Sequence, residues 1–137
     1  MTTTPPAPSV RRGDVVLVLF PNSDLRTARL RPTLVVQADN LATDLEQHIV
    51  AMITSRMFRA GHPSRVSVLL ASTEGQRSGL LSDSVIITDN LATVTGTAID
   101  RIIGSLPMEA VNVAQAHTLG LRDPQYRDHD RAESDDE

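Results

Sequence analysis

Short apolar runs separated by polar turns dominate the first ninety residues. Residues 14–20, Asp-Val-Val-Leu-Val-Leu-Phe, carry β-branched and leucine side chains without helical spacing, and Pro-Asn-Ser-Asp follows. That pattern predicts a buried β-strand closed by a turn. Similar runs at 32–37, 48–54, 65–70 and 83–88 predict four more strands, all short. In the fourth, Val66, Val68 and Leu70 alternate with Arg65, Ser67 and Leu69, as in a strand with one core face and one wet face. Residues 98–104, holding Ile99, Ile102 and Ile103, read as a short segment leading into the single good helix, from near Pro107 to near Gly120. Proline suits the first helical turn, Glu109 complements the dipole and Gly120 suits the C-terminal cap. Met108, Val111, Ala114 and Thr118 form one stripe able to pack on a sheet. Five strands and a terminal helix without βαβ alternation predict a mainly β (α+β) domain, a small antiparallel barrel or curved sheet rather than a doubly wound fold. The domain is expected at 11–121. Tails at 1–10 and 122–137 have little apolar content, and disorder is expected there.

Composition removes several chemistries. A chain of 137 residues with 40% apolar content suits one domain. Without cysteine, a disulfide, a zinc-thiolate site, an iron-sulfur cluster and a cysteine nucleophile are excluded. The longest apolar run, 15–20, and shorter ones such as 85–87 fall far short of the roughly 20 residues of a spanning helix. Residues 1–9 have neither a charged n-region nor an apolar h-region, so no secretory signal is read and a cytoplasmic location is expected. No Walker A run, dinucleotide fingerprint, HExxH, EF-hand loop or GxSxG elbow occurs. The histidines at 48, 62, 117 and 129 are scattered, so neither a metal nor a cofactor is expected.

The formal net charge of −4 is unevenly placed. Residues 122–137 hold seven Asp/Glu against three Arg, which is the whole imbalance, since residues 1–121 hold ten of each. All thirteen basic residues are arginine, which suits bidentate grip on phosphate, although a GC-rich coding bias explains it more simply. Two windows are rich in arginine and free of acids: 25–38 with Arg26, Arg29 and Arg31, and 47–73 with Arg56, Arg59, Arg65, His48 and His62. If both share a face, that face attracts polyanions.

Four features then fall in one order. Arg12-Gly13-Asp14 leads into the first strand, and Arg31-Pro32 opens the second, which continues Thr-Leu-Val-Val-Gln37. Thr54-Ser55 closes the third strand. The run from Asp83 to Thr93 precedes Ile103-Gly104-Ser105 and a helix ending Leu119-Gly120-Leu121. Over 11–121 the sequence resembles the PemK/MazF family of toxins. The resemblance implies an SH3-like barrel of the CcdB/PemK/MazF type with a C-terminal helix, forming a homodimer. It also implies a type II toxin-antitoxin toxin, an mRNA interferase that cleaves single-stranded RNA at a short sequence without metal, inhibits translation and growth, and is restrained by a cognate antitoxin.

RNA supplies its own nucleophile, so a protein has only to align the 2'-hydroxyl with the phosphate and stabilise the charge that builds on the non-bridging oxygens. Arg31, with its backbone biased to extended geometry by Pro32, is the expected phosphate clamp. By resemblance, Thr54 holds the scissile phosphate or the 2'-hydroxyl, with Ser55 beside it; strand-end Thr and Ser also bond nearby backbone. Asp89 is the best candidate base, and turn capping explains it equally well. Arg26, Arg29 and Arg56 read as phosphate contacts, with Arg59 and Arg65 in the same window, against ordinary solvated charges. Asn22, Ser23, Gln37 and Asn90 read as base-edge contacts or plain turn and strand-end residues. Base stacking is limited to Phe20 or Phe58, both expected in the core. Two departures stand out: Ile87 where some members place an arginine, and Ala92 where others carry one. They keep open a second reading, a catalytically silent CcdB-like toxin or antitoxin-binding module.

Overall fold

Alternation along β1 (Asp14–Pro21) sends its valines to two different cores. The computed structural model describes residues 9–121, so the expected tails lie outside the described residues apart from Ser9 and Val10. The remaining strands are β2 (Ala28–Val35), β3 (Gln47–Thr54), β4 (Arg65–Val68), β5 (Ser84–Thr95) and β6 (Ile99–Ser105), with helices α1 (Thr73–Ser78) and α2 (Glu109–Leu119). The six strands form one sheet in the order β4-β5-β3-β2-β1-β6, antiparallel throughout.

Val15, Leu34, Ala51, Ile53 and Ile86 pack on one face with Leu106 and Val111. Val16, Val18, Val35, Val50, Val94 and Ile99 pack on the other. Helix α2 lies across β4 and β5 and covers part of the first face, with Val111 and Ala114 buried as the stripe predicts. The second face gains its cover by curling. Thr95 and Ile99 are four residues apart, at most about 14 Å, yet β5 and β6 stand four strand positions apart, about 19 Å in a flat sheet. The sheet must therefore bend toward closure. The fold is the expected mainly β, SH3-like barrel with a C-terminal helix, left open because no ladder joins β4 to β6 among the described residues.

Several boundaries differ from the expectation, each for a physical reason. Strand β2 starts at Ala28 rather than Pro32 because pairing with β1 holds it, down to Phe20↔Arg29 and Pro21↔Ala28; its early residues are exposed and leave no apolar signal. Strand β5 runs on past Thr88 to Thr95, since Asp89 and Asn90 form a bulge rather than a turn. Residues 99–105 are a sixth strand, whose pairing with β1 shifts register twice and so loses the period of two. Helix α1 was not expected. It is short and polar, and it rests on its caps: the Ser72 side chain accepts from the Gly75 N–H, and Gly79 takes a left-handed φ of 75°. A side chain at Gly79 would also meet the Ile103 carbonyl at 2.0 Å, where α1 packs on β6. Phe20 packs on the second core, but Phe58 stands 77% exposed, contrary to expectation, because it sits on a single 3-10 turn, Met57–Arg59, with no buried residue.

Candidate nucleic-acid interface

Pro32 opens the site. Strands β2 and β3 pair only through Thr33↔Met52, Leu34↔Ala51 and Val35↔Val50. The Val36 N–H donates to the Ile49 carbonyl at 3.0 Å, so Leu34 and then Pro32 turn their backbones toward β3 by alternation. Proline has no N–H to extend that ladder. The first half of β2 therefore stays with β1, while Ile53 and Thr54 stay paired with β5. Between them lies an open cleft of about 690 Å³.

Among the described residues, five arginines line this cleft and no carboxylate does. Arg29 and Arg31 come from β2, Arg56 and Arg59 from the segment after β3, and Arg101 from β6. Thr54, Ser55 and Asn90 join them, and Met52 and Ile87 add apolar surface. The side chains of Arg29, Arg31, Arg56 and Arg59 take no hydrogen-bond or ion-pair partner among the described residues. Arg101 lies 3.8 Å from Asp100, both solvent-exposed, a pair worth little. Such a cluster repels itself and gains by binding a polyanion. The Arg56 N–H donates to the Thr54 hydroxyl at 3.2 Å, which orients Thr54 while leaving its own proton free to donate.

Next to the cleft, β5 bulges. Its register jumps from Ala51↔Leu91 to Met52↔Ile87, so Thr88, Asp89 and Asn90 leave the ladder. The buried Thr88 hydroxyl donates to the Ser64 carbonyl at 2.6 Å and lies 2.8 Å from the Thr118 hydroxyl on α2. Asp89 accepts two hydrogen bonds of 2.9 Å from Arg65, whose third donor reaches the Arg59 carbonyl at 2.9 Å. Those bonds hold the Asp89 carboxyl below the usual carboxylate range and push the Arg65 guanidinium up. A carboxylate held this way is a weak proton acceptor.

The cleft thus gathers Arg29, Arg31, Thr54, Ser55, Arg56 and Asn90 from the sequence candidates. Four others stand elsewhere. Asp89 is engaged by Arg65 behind the cleft wall. Gln37 accepts from the Ile49 N–H at 3.1 Å, a strand-end role. Asn22 donates to the Thr27 hydroxyl at 2.8 Å within the β1–β2 turn. Arg26 sits on that turn, where its N–H donates to Asp24; bonds from Arg26, Thr27 and the Thr27 hydroxyl hold the Asp24 carboxyl low. Arg101 went unread because its segment did not read as a strand. The ladder places it: Leu17 pairs with Pro32 on one side and Arg101 on the other.

The family model described as PemK-like, MazF-like toxin of type II toxin-antitoxin system matches residues 11–117. Among curated proteins, none matches the sequence. One similar solved structure is an endoribonuclease in complex with its cognate antitoxin from a mycobacterial species, 21% identical, covering 84% of this chain and 99% of that one, with a TM-score of 0.64. The Mycobacterium tuberculosis toxin MazF-mt6 is 23% identical over 80% of this chain and 98% of its own, with a TM-score of 0.62. A MazE-MazF structure from Deinococcus radiodurans is 17% identical over 83% and 98%, with a TM-score of 0.61. At these identities the structures share the fold.

Proposed function

The chain belongs to the PemK-like, MazF-like toxins of type II toxin-antitoxin systems, and from that premise we propose that it is a sequence-specific endoribonuclease that cuts single-stranded RNA in the arginine cleft without a metal ion. The observation that carries this reading is the meeting of five arginines with Thr54 in one cleft that has no carboxylate among its described lining residues. The 2'-oxygen attacks the adjacent phosphorus, the bond to the 5'-oxygen breaks, and a 2',3'-cyclic phosphate and a 5'-hydroxyl result. The proton lost by the 2'-hydroxyl passes to water, and water protonates the leaving oxygen. The protein contributes alignment and charge. Arg31 clamps the phosphate and stabilises its non-bridging oxygens, and Thr54 donates its free hydroxyl proton to the same group. A guanidinium holds its proton too tightly to be a good acid at neutral pH, so the role proposed for Arg31 is electrostatic. Arg29, Arg56, Arg59 and Arg101 hold flanking phosphates, Ser55 and Asn90 reach base edges, and the exposed Phe58 beside Arg59 offers a stacking face. Asp89 acts as a positioning residue through Arg65, not as a base.

Such a substrate implies a cytoplasmic protein that inhibits translation and growth. Among the described residues no helix is long and apolar enough to cross a membrane. Leu19 and Leu30 pair across β1 and β2 and are 51% and 41% exposed; we place the second copy of a homodimer there. The cognate antitoxin would cover the cleft with an acidic, apolar-anchored segment.

The test is incubation of the purified protein with a long single-stranded RNA in excess EDTA, with Arg31→Ala alongside, followed by mapping of cut positions and ends. Cuts by the wild type alone, at a recurring motif and with cyclic-phosphate and 5'-hydroxyl ends, are expected. Intact RNA from folded, dimeric protein would favour the silent antitoxin-binding reading, which rests on Ile87, an apolar residue 6% exposed at the cleft wall.

A further inference from the structure

We propose that the acidic C-terminal segment of the chain, residues 122–137, occupies the arginine cleft and competes there with RNA; the inference rests on the reading of that cleft as the RNA site. Three observations support it. The first is complementary charge. Arg29, Arg31, Arg56, Arg59 and Arg101 face the cleft without a carboxylate among its lining residues. The last five residues, Glu133-Ser-Asp-Asp-Glu137, carry four carboxylates and no base. Segments 1–121 and 122–137 differ sharply in balance: ten acids against ten arginines in one, seven against three in the other.

The second is where the segment departs. Helix α2 ends beside the cleft wall: the Thr118 hydroxyl lies 2.8 Å from that of Thr88, and Asn90, two residues further along the same bulge, lines the cleft. Gly120 then takes a left-handed φ of 67°, and the Leu121 N–H donates back to the Ala116 carbonyl at 2.9 Å. The chain thus turns off the helix axis next to the site.

The third is reach. Glu133 lies twelve Cα-to-Cα steps beyond Leu121, enough for about 40 Å when extended and about 20 Å root-mean-square as a coil. A tether of that length holds its acidic end at an effective concentration in the millimolar range. Four solvent-exposed ion pairs are individually weak, so the segment fills the cleft for part of the time and yields to a long polyanion. The result is a salt-sensitive brake on RNA binding, not a lock.

The experiment uses the full chain with the segment's end neutralised: Glu133→Gln, Asp135→Asn, Asp136→Asn and Glu137→Gln together. KM for a short single-stranded RNA is expected to fall about threefold to tenfold at about 50 mM salt, with kcat unchanged and the gap closing near about 300 mM as screening takes over. In parallel, a fluorescein-labelled peptide of residues 122–137 is titrated with the neutralised protein and followed by anisotropy. It should bind, and adding Arg31→Ala and Arg101→Ala to that protein should abolish binding. An unchanged KM with no peptide binding overturns the inference, as does peptide binding indifferent to the two arginines. RNA left intact by every variant, with the peptide still captured by the arginines, would refute the nuclease reading while supporting the segment's place. Cleavage with an unchanged KM and no peptide capture would refute the segment alone.

Discussion

Arg56 and Arg65 lie in one acid-free window of the sequence, and the fold uses them in opposite ways. Arg65 commits its guanidinium to Asp89 and to the Arg59 carbonyl. Arg56 opens into the cleft with no side-chain partner among the described residues. The same contrast separates Arg12 from Arg31. Arg12 donates to the Val36 carbonyl and, at 2.5 Å, to Asn112 Oδ1, tying the start of the domain to α2; Arg31 lines the cleft with no side-chain partner among the described residues. Partners found through strand register decide which cations are structural and which are free to meet a ligand. Charge windows alone cannot, because Asp89 reaches Arg65 only after β4 pairs with β5 and the bulge turns the carboxylate toward it.

The sharpest test of this division is Arg31→Ala. Loss of a group that stabilises transition-state charge costs about 10²–10³ in rate, whereas a half-buried side chain with no polar partner among the described residues changes stability by at most about 1 kcal/mol. Single-turnover cleavage should fall by that factor with the melting temperature nearly unchanged. Undiminished cleavage, or a large loss of stability, would move Arg31 to the structural group.

Arg12→Ala should do the reverse. It leaves the Val36 carbonyl and Asn112 without their charged donor, a loss of about 1–3 kcal/mol, read as a lower urea midpoint at constant m-value. Cleavage per folded molecule should stay the same. A rate loss without a stability loss would place Arg12 at the RNA instead.

The division between readable and unreadable features follows the same logic. Strands β1 and β3 were visible within one residue because apolar runs covered on both faces leave a continuous signal. Helix α2 was visible from its stripe and its Gly120 cap. Strand β6 was hidden because two register shifts against β1 break its alternation, and with it went Arg101. The second half of β5 was hidden because Asp89-Asn90 has the composition of a turn but sits in a bulge. Among the candidate residues, Arg31 and Thr54 sit in motifs tied to strand ends, and both line the cleft. Gln37 and Asn22 carry the same side-chain chemistry as a base reader, and only hydrogen bonds to Ile49 and Thr27 show them engaged at home.

A smaller effect should distinguish the cleft arginines by salt. Each phosphate contact on a single strand contributes about 0.7 to the slope of log affinity against log salt. Arg56→Ala and Arg101→Ala are each expected to flatten the slope by about that amount and to weaken RNA binding a few-fold, measured by anisotropy with a non-cleavable oligonucleotide. Arg65→Gln should leave the slope unchanged, because its charge is already engaged by Asp89. A slope that drops equally for Arg65 would erase the distinction.

The smallest effect is acid-dependent. The hydrogen bonds from Arg65 hold the folded-state pKa of Asp89 below the ordinary carboxylate value, so the folded state favours the ionised carboxylate. The resulting stabilisation is fully present above the unfolded pKa and is lost as pH falls through the folded one. The melting temperature of the wild type should therefore exceed that of Asp89→Asn by a constant margin above about pH 5, and the two should converge below about pH 4. The margin is expected to be modest because the pair is partly solvent-exposed, with side chains 22% and 38% accessible. Cleavage by Asp89→Asn at neutral pH should fall only a few-fold, through looser placement of Arg59, whose carbonyl Arg65 holds. A loss of a thousandfold with an altered pH-rate profile would instead make Asp89 the base, and would mean that the ion pair opens when RNA binds.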